Sequence, residues 1–284
     1  MKDLMVKIIR MKNITTAIIP VAGLGTRLLP LTKSVPKELL PVYDKPVIQY
    51  IVDEVVQAGI KKIIFVISAE KESIRDYFLP NEKLNKMLAE RQKSDILSVL
   101  QTVETAAEFQ FVFQSHPYGD GHALQQALPF VPEGESVVVL FGDDLVDNPG
   151  GQNAVEQLME QYEKQASPVL LLQEVPLADT VRYGIVDWED AQNRKIKQLV
   201  EKPIPAEAPS NLAVIGKYIL TADVLQALAN ATVTDGELRL ADILSEYLSN
   251  KKDVFGVPVR GVRFDTGQIK GLVEASHHFF VQGN

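Results

Sequence analysis

Apolar positions along this chain follow two alternating rhythms. Ile14 to Val21 is a continuous β-branched run and predicts a buried strand. Lys45 to Ala58 then places Val47, Ile48, Ile51, Val52, Val55 and Val56 at helical spacing, and Gly59 ends it. Lys62 to Ser68 predicts a second buried strand. A strand–helix–strand order with a crossover of this length implies a parallel βαβ unit. Glu70 to Phe78 predicts a short helix, and Asn81 to Ala107, polar with Leu and Met at helical spacing, one or two surface helices. Glu108 to Gln114 predicts a strand, Gly121 to Leu128 a helix stopped by Pro129, and Ser136 to Phe141 the central strand.

The second half continues less regularly. Helices are expected over Gln152 to Gln165, Ala222 to Ala229, Leu240 to Leu248 and Gln268 to Phe280. Strands are expected over Val169 to Val175, Ile185 to Trp188, Lys197 to Val200, Ala213 to Leu220 and Val254 to Val259, the first three as an antiparallel patch. The alternation predicts an α/β protein with a Rossmann-like core, a mixed, mainly parallel central sheet flanked by helices, and a smaller antiparallel part. No linker separates independently folding units, so residues 13–284 are expected to form one domain behind an appendage of residues 1–12, with Met11 a possible true start.

Three features punctuate this pattern with chemistry. Ala22-Gly23-Leu24-Gly25-Thr26-Arg27 follows the first strand at once. Glycines there let the backbone turn sharply and leave bare peptide for a ligand. Lys33 and Lys37 follow, and exposed N–H groups with fixed positive charge suit a polyphosphate. A dinucleotide fingerprint would need a third glycine at Leu28 and a long helix, which Pro30, Pro36 and Pro41 forbid. A Gly-Lys-Ser/Thr ending is also missing. Next, Gly142-Asp143-Asp144 lies beyond the carboxyl end of the central strand, where open α/β sheets bind ligands. A carboxylate there can hold Mg²⁺ or can be a turn residue. Finally, Gln114 opens a glycine-containing turn that includes Gly119, and its amide can both donate to and accept from a base edge.

Composition narrows the partners. The chain has 284 residues, net charge −8, four histidines and no cysteine. Thiol catalysis and Cys-ligated zinc are excluded, and a His-based metal site is disfavoured. The acidic balance argues against nucleic-acid binding. No run reaches the ~18 apolar residues of a membrane span, and the apolar part of residues 1–11 is too short for a signal peptide. No membrane partner and a cytoplasmic location are expected.

Gly23-x-Gly25-Thr26-Arg27, followed after nine residues by Pro36-Lys37-Glu38-Leu39-Leu40-Pro41, resembles the sugar-1-phosphate nucleotidyltransferase family. Four further motifs, from Gln114 to Asp265, fall in that family's order. The resemblance implies a nucleotidyltransferase fold and Mg²⁺-dependent transfer of UMP from UTP to glucose 1-phosphate, with release of pyrophosphate. It assigns the nucleotide to Ala22, Gly23, Gly25, Thr26 and Glu38, with Gln114 and Gly119 for the base. Arg27, Lys37 and Lys202 become catalytic, and Asp143 and Asp265 metal ligands. Gly184, Glu201, Lys202 and Gly216 become the sugar-phosphate side, so residues 13–150 form a nucleotide half and 151–284 a sugar half. It also implies a homodimer or homotetramer. The family usually has an apolar residue where Asp120 stands, which puts base preference in question. By themselves Asp265 could cap the last helix and Glu201-Lys202 could be a solvated turn. Asp144 is expected behind the metal site or facing solvent, His116 and His122 in structural or surface roles, and His277 and His278 facing solvent or a subunit contact. Another base or sugar, or a non-catalytic regulatory paralogue, are the competing readings.

Overall fold

A computed structural model describes residues 14–233 and 236–283. The expected appendage of residues 1–12 lies outside them. One nine-stranded sheet runs through both halves of the chain. Its strands are β1 (Thr16–Pro20), β2 (Lys62–Ile67), β3 (Glu108–Phe113), β4 (Val137–Leu140), β5 (Val169–Glu174), β6 (Gly184–Asp190), β7 (Lys195–Glu201), β8 (Leu212–Leu220) and β9 (Phe255–Pro258). The spatial order is β3-β2-β1-β4-β8-β5-β9-β7-β6, and β6 also pairs with the start of β8. β3, β2, β1 and β4 are mutually parallel, as are β5 and β9. β8 runs antiparallel to β4 and β5, which makes the sheet mixed, as the alternation of elements predicts. Of the expected antiparallel patch, β6 and β7 do pair with each other, but β5 pairs with β8 and β9 instead, so the patch is not a separate three-stranded unit but an extension of the central sheet. β8 joins the halves by pairing Lys217 to Tyr218 of one with Leu140 and Val139 of the other.

The central strands are apolar on both sides because both faces are covered. Ala17, Ile19, Ile63, Phe65, Val138 and Leu140 pack under helix Val47–Gln57, helix Ala154–Gln165 and the closing helix Ile269–Gly283. Ile18, Ile64, Val66, Val137 and Val139 pack under helices Asp120–Ala127, Ala222–Asn230 and Leu240–Ser249. Neighbouring residues of one strand thus enter different cores, the period of two that a strand imposes. The polar stretch after residue 80 forms two helices, Glu82–Glu90 and Ser94–Glu104. Among the described residues, no helix is long and apolar enough to cross a membrane.

A small ladder was not expected from the sequence. Asp144–Asp147 pairs antiparallel with Val262–Asp265, with Asp144 opposite Asp265 and Leu145 opposite Phe264. Thr266 donates from N and Oγ1 to the Asp143 carbonyl, at 2.8 and 2.9 Å. Residues more than a hundred apart in sequence are thereby brought to one end of the sheet.

Candidate active site

The carboxyl ends of β1, β3 and β4 open into a cleft of about 420 Å³. Of the predicted residues, Ala22, Gly23, Arg27, Lys37, Glu38, Gln114, Gly119, Asp143, Gly184, Glu201, Lys202, Gly216 and Asp265 line it. Gly25 and Thr26 do not; they shape the turn beneath it. Gly25 takes a left-handed φ of 66°, and its carbonyl accepts from Thr32 Oγ1 at 2.8 Å. That conformation aims Arg27, in the next turn, back at the strand ends. Glu38 lies in the wall rather than offering a free carboxylate. It is 1% exposed and is bound by Lys71 Nζ at 2.7 and 2.9 Å.

Two carboxylates form the floor. Asp143 Oδ2 lies 2.5 Å from Lys37 Nζ and 3.7 Å from Arg27 Nη2. Burial works to raise the Asp143 pKa, but Lys37, then Arg27 and Arg263, outweigh it and hold the group below the ordinary carboxylate range. Lys37 responds in the opposite sense: burial opposes its charge, while Asp143 and Glu38 raise its pKa overall. Asp265 is held by Arg182 at 2.8 Å and by Gln268 at 2.5 Å. The Asp143 and Asp265 carboxylates converge over Gly267, where a Cβ would lie 2.6 Å from one and 3.0 Å from the other.

These two side chains fit a hard divalent cation that arrives with phosphate. Among the described residues, no group of three or more His, Cys, Asp or Glu side chains could hold a metal alone. Two protein oxygens with phosphate and water oxygens completing the shell is the arrangement Mg²⁺ favours.

Asp144 is neither solvent-facing nor idle, contrary to one expectation. It is buried, accepts from the Gly216 amide at 3.0 Å, and is clasped by the Arg263 guanidinium, whose Nε lies 2.6 Å away. Burial raises its pKa, and Arg263 opposes that rise. Arg263 also stacks on the Tyr183 ring, 5.2 Å from its centroid. Gly216 thus faces Asp144 and Phe141, leaving no space for a side chain.

The far wall comes from β6 and β7. Their register places Gly184 opposite Glu201. Lys202 has φ 47°, rare for a residue with a side chain, and its amide bonds the Tyr183 carbonyl at 3.0 Å. Its ammonium is 2.9 Å from Glu201 and its side chain is 55% exposed, so it is free to change partner.

The opposite wall is the Gln114–Gly119 turn. Gly119 has φ 95° and lies against the Leu238 backbone, so a side chain there is excluded twice over. Asp120, the residue out of pattern, is structural: its Oδ1 accepts from Gly121 N at 2.7 Å and Leu240 N at 2.9 Å. It joins the starts of two helices beside the cleft. His116 stacks on Tyr118 at 5.2 Å. His278 does not face solvent: it bonds Asp147 at 2.7 Å and packs on Phe264. Arg182 and Arg263 escaped the sequence reading. Each stands within two residues of a recognised motif, but only the fold shows which carboxylate it meets.

A family model for nucleotidyl transferase matches residues 16–280. UTP–glucose-1-phosphate uridylyltransferase from Bacillus subtilis (strain 168) is 40% identical over 277 residues, covering 96% of this chain and 93% of that protein. A UTP-bound UGPase from Acinetobacter baumannii superposes with a TM-score of 0.86 at 36% identity, over 95% of this chain and 94% of the other. A UDP-glucose pyrophosphorylase complexed with UDP-glucose superposes with a TM-score of 0.83 at 32% identity, over 95% of this chain and 100% of the other.

Proposed function

Since the chain belongs to the nucleotidyl transferase family and is a nucleotidyltransferase, we propose that it transfers UMP from UTP to glucose 1-phosphate, giving UDP-glucose and pyrophosphate. The observation that carries this reading is the convergence of Lys37, Arg27, Asp143 and Asp265 at the strand ends, with Lys202 across the cleft.

The chemistry asks little of the protein beyond position and charge. The sugar phosphate is already ionised near neutral pH, so no general base is needed. Its oxygen attacks the α-phosphorus of UTP, a P–O bond forms, and the bond to the pyrophosphate oxygen breaks. Arg27 and Lys37 bind the triphosphate and stabilise the charge that grows on the leaving pyrophosphate. Lys202 leaves Glu201 for the sugar phosphate and fixes the nucleophile as a point charge. Glu201, released from Lys202, accepts from sugar hydroxyls. Gly184 lets the sugar approach the backbone, and Gly216 makes room for Asp144 and Phe141 in that wall. Gln114 and Gly119 meet the base. Asp143 and Asp265 would hold Mg²⁺, which when bound would supply neutralisation of phosphate charge.

Pyrophosphate release tests this directly. UTP with glucose 1-phosphate and Mg²⁺ is expected to give release that a chelator abolishes, and dTTP, ATP, CTP and GTP are expected to be poorer. Lys37→Met is expected to lower kcat by about 100-fold or more in the protein that remains folded. Silence across all nucleotides and sugar phosphates, with UTP still bound, would leave a non-catalytic binding protein as the better reading.

A further inference from the structure

Gln114 Nε2 lies 3.0 Å from the Gly119 carbonyl oxygen and 3.0 Å from His122 Nδ1. A carbonyl oxygen only accepts, so the Gln114 atom facing it is the amide nitrogen and not the oxygen. That nitrogen has one proton left, and it points at His122 Nδ1. Nδ1 must accept it, so the ring is neutral with its own proton on Nε2. The surroundings agree. Burial, and then the neighbouring His116, hold the His122 pKa below the ordinary imidazole value, against the opposing pull of the His116 backbone. Tyr118 packs edge-on against the ring, at 5.4 Å between centroids. The Gln126 side chain meets the far edge of the ring more loosely: its Nε2 lies 3.3 Å from His122 Nε2 and 3.4 Å from the His122 carbonyl oxygen.

Both Gln114 amide protons are therefore used within the protein. What remains for the cleft is Oε1, and among the described residues nothing donates to it. We infer that His122 is a positioning residue for base selection, locking the Gln114 amide so that only an acceptor faces the base. Such a site takes a pyrimidine with N–H at the centre of its pairing edge, as in uracil, and sets a lone pair against cytosine N3. The inference rests on the base lying against the Gln114–Gly119 turn, as proposed above.

Without Nδ1 the amide is held by Gly119 alone, and the orientation that presents N–H to the base becomes accessible. His122→Phe keeps a ring of similar size without the acceptor. His122→Asn keeps an acceptor near the Nδ1 position. UTP and CTP affinities are measured by titration calorimetry on the wild type, both variants and Gln114→Ala, independently of turnover. The ratio of UTP to CTP affinity is expected to fall about five- to tenfold in His122→Phe, the loss of one hydrogen bond, and to return to within about twofold of the wild type in His122→Asn. A merely structural role would weaken both nucleotides alike and leave the ratio unmoved. An unchanged ratio in His122→Phe overturns the inference, and so does an Asn variant as unselective as the Phe one. An unchanged ratio in Gln114→Ala overturns the placement of the base and the inference with it. Absent turnover with intact UTP preference would instead overturn the proposed reaction and leave the role of His122 standing.

Discussion

Lys217 is completely buried on β8, and its ammonium lies 2.8 Å from Glu54 Oε2 on helix Val47–Gln57. The other Glu54 oxygen accepts from Val155 N, at the start of helix Ala154–Gln165, at 3.1 Å. One carboxylate thus ties two helices to the strand that carries Gly216. Lys217→Met would leave that carboxylate buried without its counter-charge. Breaking such a pair costs about 3–5 kcal/mol, against a total stability on the order of 5–15 kcal/mol. The double variant Glu54→Gln/Lys217→Met removes both charges, and the glutamine oxygen can still accept from Val155. Its deficit is expected to stay within about 2 kcal/mol. The sign of the pH dependence also follows. Burial raises the Glu54 pKa and Lys217 is the main opposing influence. In Lys217→Met the folded-state pKa lies further above the unfolded one, so protonation favours the folded form. The deficit is then least below the ordinary carboxylate pKa and grows as pH rises through the raised value. Urea unfolding followed by circular dichroism, at pH 5 and pH 8, reads both effects. A coupling of at least about 2 kcal/mol is expected from the cycle. Additive losses, or a deficit independent of pH, would refute the reasoning.

Substitutions at two further positions probe the cleft walls. A Cβ on Gly216 would lie 2.6 Å from Asp144 Oδ2 and 2.8 Å from Phe141 Cβ, so Gly216→Ala is expected to cost about 1–3 kcal/mol and to lower pyrophosphate release by about tenfold or more as the Asp144–Arg263 clasp shifts; normal melting and turnover would show that the clasp tolerates displacement. Asp120→Asn keeps the acceptor for Gly121 and Leu240, and burial already disfavours the charge at this position; it is expected to change stability by less than about 0.5 kcal/mol, while Asp120→Ala loses about 1–2 kcal/mol, both read by urea unfolding.

Legibility in the sequence divides by range. The buried strands announced themselves because both their faces are covered, which leaves continuous apolar runs such as Ile63–Ile67. The glycine turn after β1 was legible because Gly25 must adopt a left-handed φ and the prolines after it forbid a helix. The ladder between Asp144–Asp147 and Val262–Asp265 was not legible. Each strand is only four residues long, half-buried, and paired across more than a hundred residues. Local pattern carries no information on such a pairing. For the same reason Asp144 could be taken as exposed, since its partners Gly216 and Arg263 come from distant segments. The antiparallel strands of the second half were found one by one, but their fusion into the central sheet depends on β8, whose two edges look alike in sequence.

Under the proposed reaction, the arrangement of charge explains how an acidic protein would receive two polyanions. In the free cleft Lys37 and Arg27 face Asp143, Arg182 faces Asp265, Arg263 clasps Asp144 and Lys202 faces Glu201. Among the described residues no cation there is buried alone, which would carry a desolvation cost of several kcal/mol. Under the proposed reaction, phosphate oxygens take over Lys37, Arg27 and Lys202, and the released carboxylates take the divalent cation and the sugar hydroxyls. Each exchange trades one ion pair for another, so little uncompensated charge is created at any step. Nucleotide without metal would leave Asp143 facing a phosphate, two like charges in a desolvated site. Under the proposed reaction, the pairing that stabilises the site would therefore also favour a metal-bound nucleotide over the bare one.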